Sequence, residues 1–144
     1  MSDKKENKEE VFELSNLFTT QRIDEGLWFE PYSNQISLGI KFKVIGVSSP
    51  KVIKDYTEYQ TKLNLISVKD GVEAALKEQY ALTADFVPKL IADVQTVDGR
   101  KIVINGENMA DVNGAMKDLF MNNNLIAEMI LNFASSDFNY IIQD

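Results

Sequence analysis

Cysteine and histidine are both absent from the 144 residues, proline occurs three times and tryptophan once. Without cysteine there is no disulfide framework and no thiolate site, which fits a protein of a reducing compartment. Without histidine the commonest general base and the commonest metal ligand are missing together. A metal would need carboxylates and carbonyls, and neither Asp24-Glu25 nor Asp70/Glu73 has the oxygen-rich loop spacing of a calcium site. A serine nucleophile would lack its usual activating base. Gly106 and Gly114 stand outside any strand–GxxxxGK–helix pattern, so no phosphate loop is expected. Glu107, Asp111, Asp118 and Glu128 fall on the polar sides of helical segments, as solvated charges do. The expectation is a non-enzymatic protein with no cofactor.

Long apolar runs are lacking too, and the charged start MSDKKENKEE has no secretory character. Fifteen basic against twenty-two acidic residues leave a net charge of -7, which repels phosphate backbones. Neither nucleic acid nor membrane is therefore an expected partner, and the expected compartment is the cytoplasm. The 44% hydrophobic content is that of a folded protein. We expect a flexible charged segment over residues 1–20, with a fraying helix at Val11 to Phe18, and one α+β domain over 21–144.

Leu27 to Glu30 and Ile36 to Val47 predict an N-terminal β-hairpin turning at Pro31-Tyr32-Ser33-Asn34. Ile36, Leu38, Ile40, Phe42 and Val44 alternate with polar residues or glycine and predict one buried face; Gly39 predicts a bulge. Ser49-Pro50 opens a helix whose stripe is Val52, Tyr56, Tyr59, Leu63 and Ile66. Asp70 and Glu73 have the spacing of a capping box for a second helix, striped by Val72, Leu76 and Tyr80. Pro88 predicts a break around Leu82 to Asp85. Asp98-Gly99, between Val94 to Val97 and Arg100 to Ile104, predicts a small second hairpin.

Beyond an Asn105-Gly106 break come two short amphipathic helices joined at Asn122-Asn123-Asn124. Met109, Val112, Met116, Leu119 and Phe120 stripe the first; Leu125, Ile126, Met129, Ile130 and Phe133 stripe the second. All four methionines after Met1 (Met109, Met116, Met121 and Met129) fall in this pair. Methionine adapts to varied apolar partners, though it also fills core gaps, and that is the simpler role for Met109, Met116 and Met129. Met121 and Leu131 fall off the stripes and are expected to be exposed, forming one patch for a client protein or a second copy of the chain.

The order of elements, ISLGIKFKVIGVSSP, KDYTEY, LIADVQTVDGRKIVI, NGENMADVNGAMKDLF and a last helix finishing SSDFNYI, resembles the tail assembly chaperones of long-tailed bacteriophages and their prophage relatives. Leu38-Gly39-Ile40, Tyr56, Asp98-Gly99, Glu107-Asn108 and Asp137-Phe138-Asn139 carry the resemblance over roughly residues 26 to 141. The chain departs from that family at Val94-Gln95-Thr96, where the family often has a tryptophan, and at the order of its last motif. The resemblance implies a non-enzymatic assembly factor that coats the tape-measure protein, keeps it soluble and recruits tail-tube protein in the host cytoplasm. It also implies a longer frameshifted form in many members. The competing readings are a minor tail or tail-completion protein retained in the virion, and an unrelated binding domain with a pocket lined by Trp28, Tyr56 and Tyr59.

Overall fold

The structure, a computed structural model, describes residues 10, 11, 14, 21–104, 107, 108 and 112–141. The expected N-terminal segment lies mostly, and Met109 wholly, outside these residues. In chain order the elements begin with α1 (Gln21–Glu25), β1 (Leu27–Phe29), β2 (Tyr32–Ser33), β3 (Ile36–Ser37) and β4 (Ile40–Val44). There follow α2 (Ile53–Asn64), α3 (Val72–Phe86), a 3-10 turn (Val87–Leu90) and β5 (Ile91–Thr96). The chain then forms β6 (Val103–Ile104), β7 (Glu107–Asn108), α4 (Val112–Asn122), α5 (Asn124–Ala134) and a second 3-10 turn (Asp137–Tyr140). The fold is α+β, with the N-terminal hairpin, central helices, small second hairpin and C-terminal helix pair that the sequence predicts.

β4 is the middle strand of an antiparallel sheet ordered β1-β4-β5, with Phe29 opposite Phe42 and Phe42 opposite Val94. Phe42 and Val44 are buried, as period-two alternation requires. The alternation fails upstream: Ile36 and Leu38 are 69% and 42% exposed. Ile36 belongs to a separate ribbon, β2 with β3, which reverses at Asn34-Gln35 and not at Pro31 to Asn34, and Leu38 follows it, donating its N–H to Pro31 O. Both turn residues have positive φ, 52° and 67°, the handedness that matches a two-residue hairpin. Gly39, at φ +86°, separates this ribbon from β4, and the register shift of the sheet lies at Lys43/Val44 instead.

The second hairpin also forms at a different place. β5 bonds to β4, and the ladder expected across Asp98-Gly99 is replaced by β6 pairing with β7. Pairing with β4 sets Val94 against Phe42 in the core, a gain that an exposed ribbon does not offer. Asp98-Gly99 still turns the chain, with Gly99 at φ +83°. Arg100 donates its Nε–H to Asp98 Oδ2 over 2.7 Å, and that side-chain bond holds the Asp98 carboxyl below the usual carboxylate range.

The helix α2 keeps its stripe: Val52 and Tyr59 are buried, Tyr56, Leu63 and Ile66 half-buried. The capping box of α3 does not form. Gly71, at φ +105°, takes the cap position and no side chain caps the helix, because Asp70 stands one residue too early. Pro88 does not break the helix at Leu82 to Asp85 either. α3 runs to Phe86 and tightens into the 3-10 turn, where proline near the start loses no needed donor. Among the buried core side chains are Phe42, Val44, Phe86, Leu90, Met116 and Ile130.

The loop from Ile45 to Pro50 is held from both distant ends of the described chain. Gly46 donates its N–H to Ile23 O (3.0 Å) and Val47 to Ala134 O (3.0 Å). Ser49, fully buried, donates to Asp24 Oδ1 over 2.6 Å and accepts the N–H of Lys51. Ser48 donates to Asp137 Oδ1, and Tyr140 donates to Val44 O.

Candidate functional site

The connection between α2 and α3 reads LISVKDG, with three large apolar residues where a polar turn is the rule. Leu65 and Val68 are 76% and 67% exposed, and Val72 on the first turn of α3 is 66% exposed. Between the two helices lies an open groove of about 360 Å³ lined by Leu63, Ile66, Val68, Val72, Ala75, Leu76 and Gln79. Its walls are apolar apart from Gln79. Lys62, Lys69, Asp70, Glu73 and Lys77, all exposed, supply charge of both signs at this end of the helices.

The opposite end of the same helix pair is pinned. Tyr59 and Phe86 stack at 4.9 Å, and Tyr56 lies 5.7 Å from Phe86. Thr83 donates its one hydroxyl proton to Gln79 O, so the 2.9 Å bond between Tyr59 and Thr83 has the phenol as donor. Burial pushes the Tyr59 hydroxyl pKa up. Rigid at the inner end and apolar at the outer, the pair presents a preformed slot. Such a slot suits the apolar face of a partner helix.

A second, smaller notch of about 30 Å³ runs along α2 and α3 beside Asp55, Glu58, Lys62, Asp85 and Lys89. Lys89 meets Asp55 at 3.5 Å and Lys117 meets Asp85 at 3.1 Å, all four side chains being well exposed. Pairs of this kind contribute at most about 1 kcal/mol each. The notch is a solvated charge network with no nucleophile and base placed together.

The C-terminal pair corrects the sequence reading. Leu131, expected on the surface, is buried at 9% exposure, while Leu125 and Leu119 of the expected stripes are 60% and 40% exposed. The buried face of α5 is Ala127, Ile130, Leu131 and Ala134, a regular three- and four-residue series. Reading only large side chains missed the two alanines, which let the helix approach its neighbours closely. Met121 is 46% exposed, Met116 is buried at 3% and Met129 is half-buried. Met121 and Leu131 therefore do not form one exposed patch. Trp28 is on β1 with the Lys41 ammonium 5.1 Å from its ring centroid, and it lines neither of the two cavities.

Sequence reasoning missed the α2–α3 tip because it assigned Leu63, Ile66, Val72 and Leu76 to buried stripes. The signal was the apolar connection itself. Among the described residues no group of three or more Asp or Glu could hold a metal ion, and no helix is long and apolar enough to cross a membrane. Compared with known proteins, the chain matches no family model, no curated protein and no solved structure.

Proposed function

We propose that this protein is a non-enzymatic tail assembly chaperone of a long-tailed bacteriophage or prophage, acting in the host cytoplasm on the tape-measure protein. The open apolar groove between the outer ends of α2 and α3 carries the reading. A chaperone for a long apolar helix needs a slot that accepts helical apolar faces and a charged exterior that keeps the complex soluble. The groove supplies the first, and the net charge of -7 the second. The order of sequence elements supports the same assignment, with recruitment of tail-tube protein as the accompanying role.

The test is co-expression with tape-measure and tail-tube proteins, followed by affinity capture through a tag on this chain. Capture of the tape-measure protein is expected, and Val72→Ser with Leu76→Ser should abolish it while leaving the melting temperature within a few degrees. Failure to retain either tail protein sinks the proposal. Finding the chain in purified particles, at the stoichiometry of a structural component, would favour a virion protein instead.

A further inference from the structure

The outer half of α3 carries a charge pattern that is complementary to itself. Val72, Leu76 and Tyr80 follow one another at four-residue steps and are 66%, 41% and 38% exposed. Steps of four residues advance about 40° around a helix, so the three form one slightly slanted ridge. Glu73 and Lys77, also exposed, run along one flank of that ridge, again four residues apart. Neither is in an ion pair among the described residues.

We infer that in the free protein this ridge is covered by a second copy of the chain, the two α3 helices lying antiparallel across a two-fold axis level with Ala75. An axis of that kind is perpendicular to the helices and returns each flank to its own side. Ala75 is midway between Glu73 and Lys77, so the rotation sets Glu73 of each copy level with Lys77 of the other. Two ion pairs form on one flank. Along the ridge the same operation interleaves Val72 and Leu76 with their counterparts. The parallel arrangement has no such match, because its axis runs along the helices and carries Glu73 and Lys77 of the second copy to the opposite flank, away from those of the first. The apolar ridge gives the association its driving force, and the charges give it direction.

This inference does not depend on the proposed client, because it concerns only how the chain meets itself. Stable specific interfaces bury roughly 1,200 Å² or more in total, and here a few side chains of one helix per copy make the contact. The dimer is therefore expected to be concentration-dependent. Sedimentation velocity over a dilution series of the full chain reads it directly. Glu73→Lys and Lys77→Glu, each alone, place like charges across the axis and should weaken self-association roughly tenfold. Mixing the two variants restores both opposite-charge pairs, so the mixture should dimerise about as well as the unaltered protein. The double exchange Glu73→Lys with Lys77→Glu should do the same alone. Helix content by circular dichroism, unchanged because both positions are exposed, accompanies each measurement. A chain that stays monomeric at its highest attainable concentration overturns the inference. So does a dimer indifferent to both single changes, or one that mixing fails to restore. Loss of tape-measure capture in any of these proteins bears on the client and leaves the self-association result as it stands.

Discussion

Tyr140 donates its phenolic proton to the carbonyl of Val44 over 2.9 Å, joining residues 96 apart in the chain. The bond closes at the place where the register of β4 against β5 shifts. The ring of Tyr140 stands edge-on to Phe133 at 5.7 Å, and Phe133 in turn stacks on Phe29 at 4.7 Å. Tyr140→Phe keeps the ring and leaves the Val44 carbonyl without that donor. Urea unfolding should show a loss of about 1–3 kcal/mol. A loss below about 0.5 kcal/mol would mean that the hydroxyl is not committed to this carbonyl.

Alkaline pH offers a separate check. Burial, with a smaller contribution from the negative charge of Asp137, pushes the Tyr140 hydroxyl pKa well above the usual tyrosine range; Tyr59 shifts the same way. In the unfolded chain both ionise near pH 10. Above that pH the unfolded state gives up protons that the folded state retains. Stability is therefore full below about pH 10 and falls as pH rises, by up to about 1.4 kcal/mol per pH unit per tyrosine. Unfolding free energies at a series of pH values should show this decline, and Tyr140→Phe should make it shallower. An equal slope in both proteins contradicts the assignment.

Phe42→Ala should cost about 3–5 kcal/mol, since the ring is buried in the sheet's core face and its removal leaves a cavity. Lys41→Ala, on the other face, loses only the contact with Trp28, worth roughly 0.5–1 kcal/mol where exposed. Comparable losses in denaturant melts would contradict the register of β4.

The Tyr59–Thr83 pair predicts an asymmetry. Tyr59→Phe removes a donor from an oxygen that can do without it, costing about 1 kcal/mol. Thr83→Val strands a buried phenol and should cost more, up to about 3 kcal/mol. A reversed order would put the proton of their shared bond on Thr83.

Leu131 and Met121 should now part company. Leu131→Ser is expected to lose at least about 2 kcal/mol through cavity formation and a buried hydroxyl. Met121→Ser, at a half-exposed position, should stay within about 0.5 kcal/mol. Thermal melts of the two single variants distinguish them.

Periodicity made the class of fold legible because Phe42, Val44, Val52 and Tyr59 lie on faces that a single element buries in one direction. It failed where the decision belonged to tertiary partners. Val94 pairs with Phe42 across the sheet, and no local turn signal at Asp98-Gly99 reveals that choice. α5 is covered from several sides, so its inward face is marked by Ala127 and Ala134 as much as by its large residues. The candidate site was the least legible part. Its stripe residues Val72 and Leu76 have ordinary helical spacing, and spacing alone does not distinguish a core face from an uncovered one.

The loop of Ile45 to Pro50 has a consequence for synthesis. Its bonds to Ile23 and Asp24 join residues made early, whereas those to Ala134 and Asp137 join residues made more than eighty positions later. Closing so long a loop is slow, and its entropic cost is met only when the late partners exist. A nascent chain on the ribosome can assemble β1 with β4, yet this loop waits half-fastened until the last 3-10 turn has left the exit tunnel. Translation stalled ahead of Ala134 should therefore leave a protease-sensitive nascent chain around Ile45 to Pro50, even with both strands and α2 already outside.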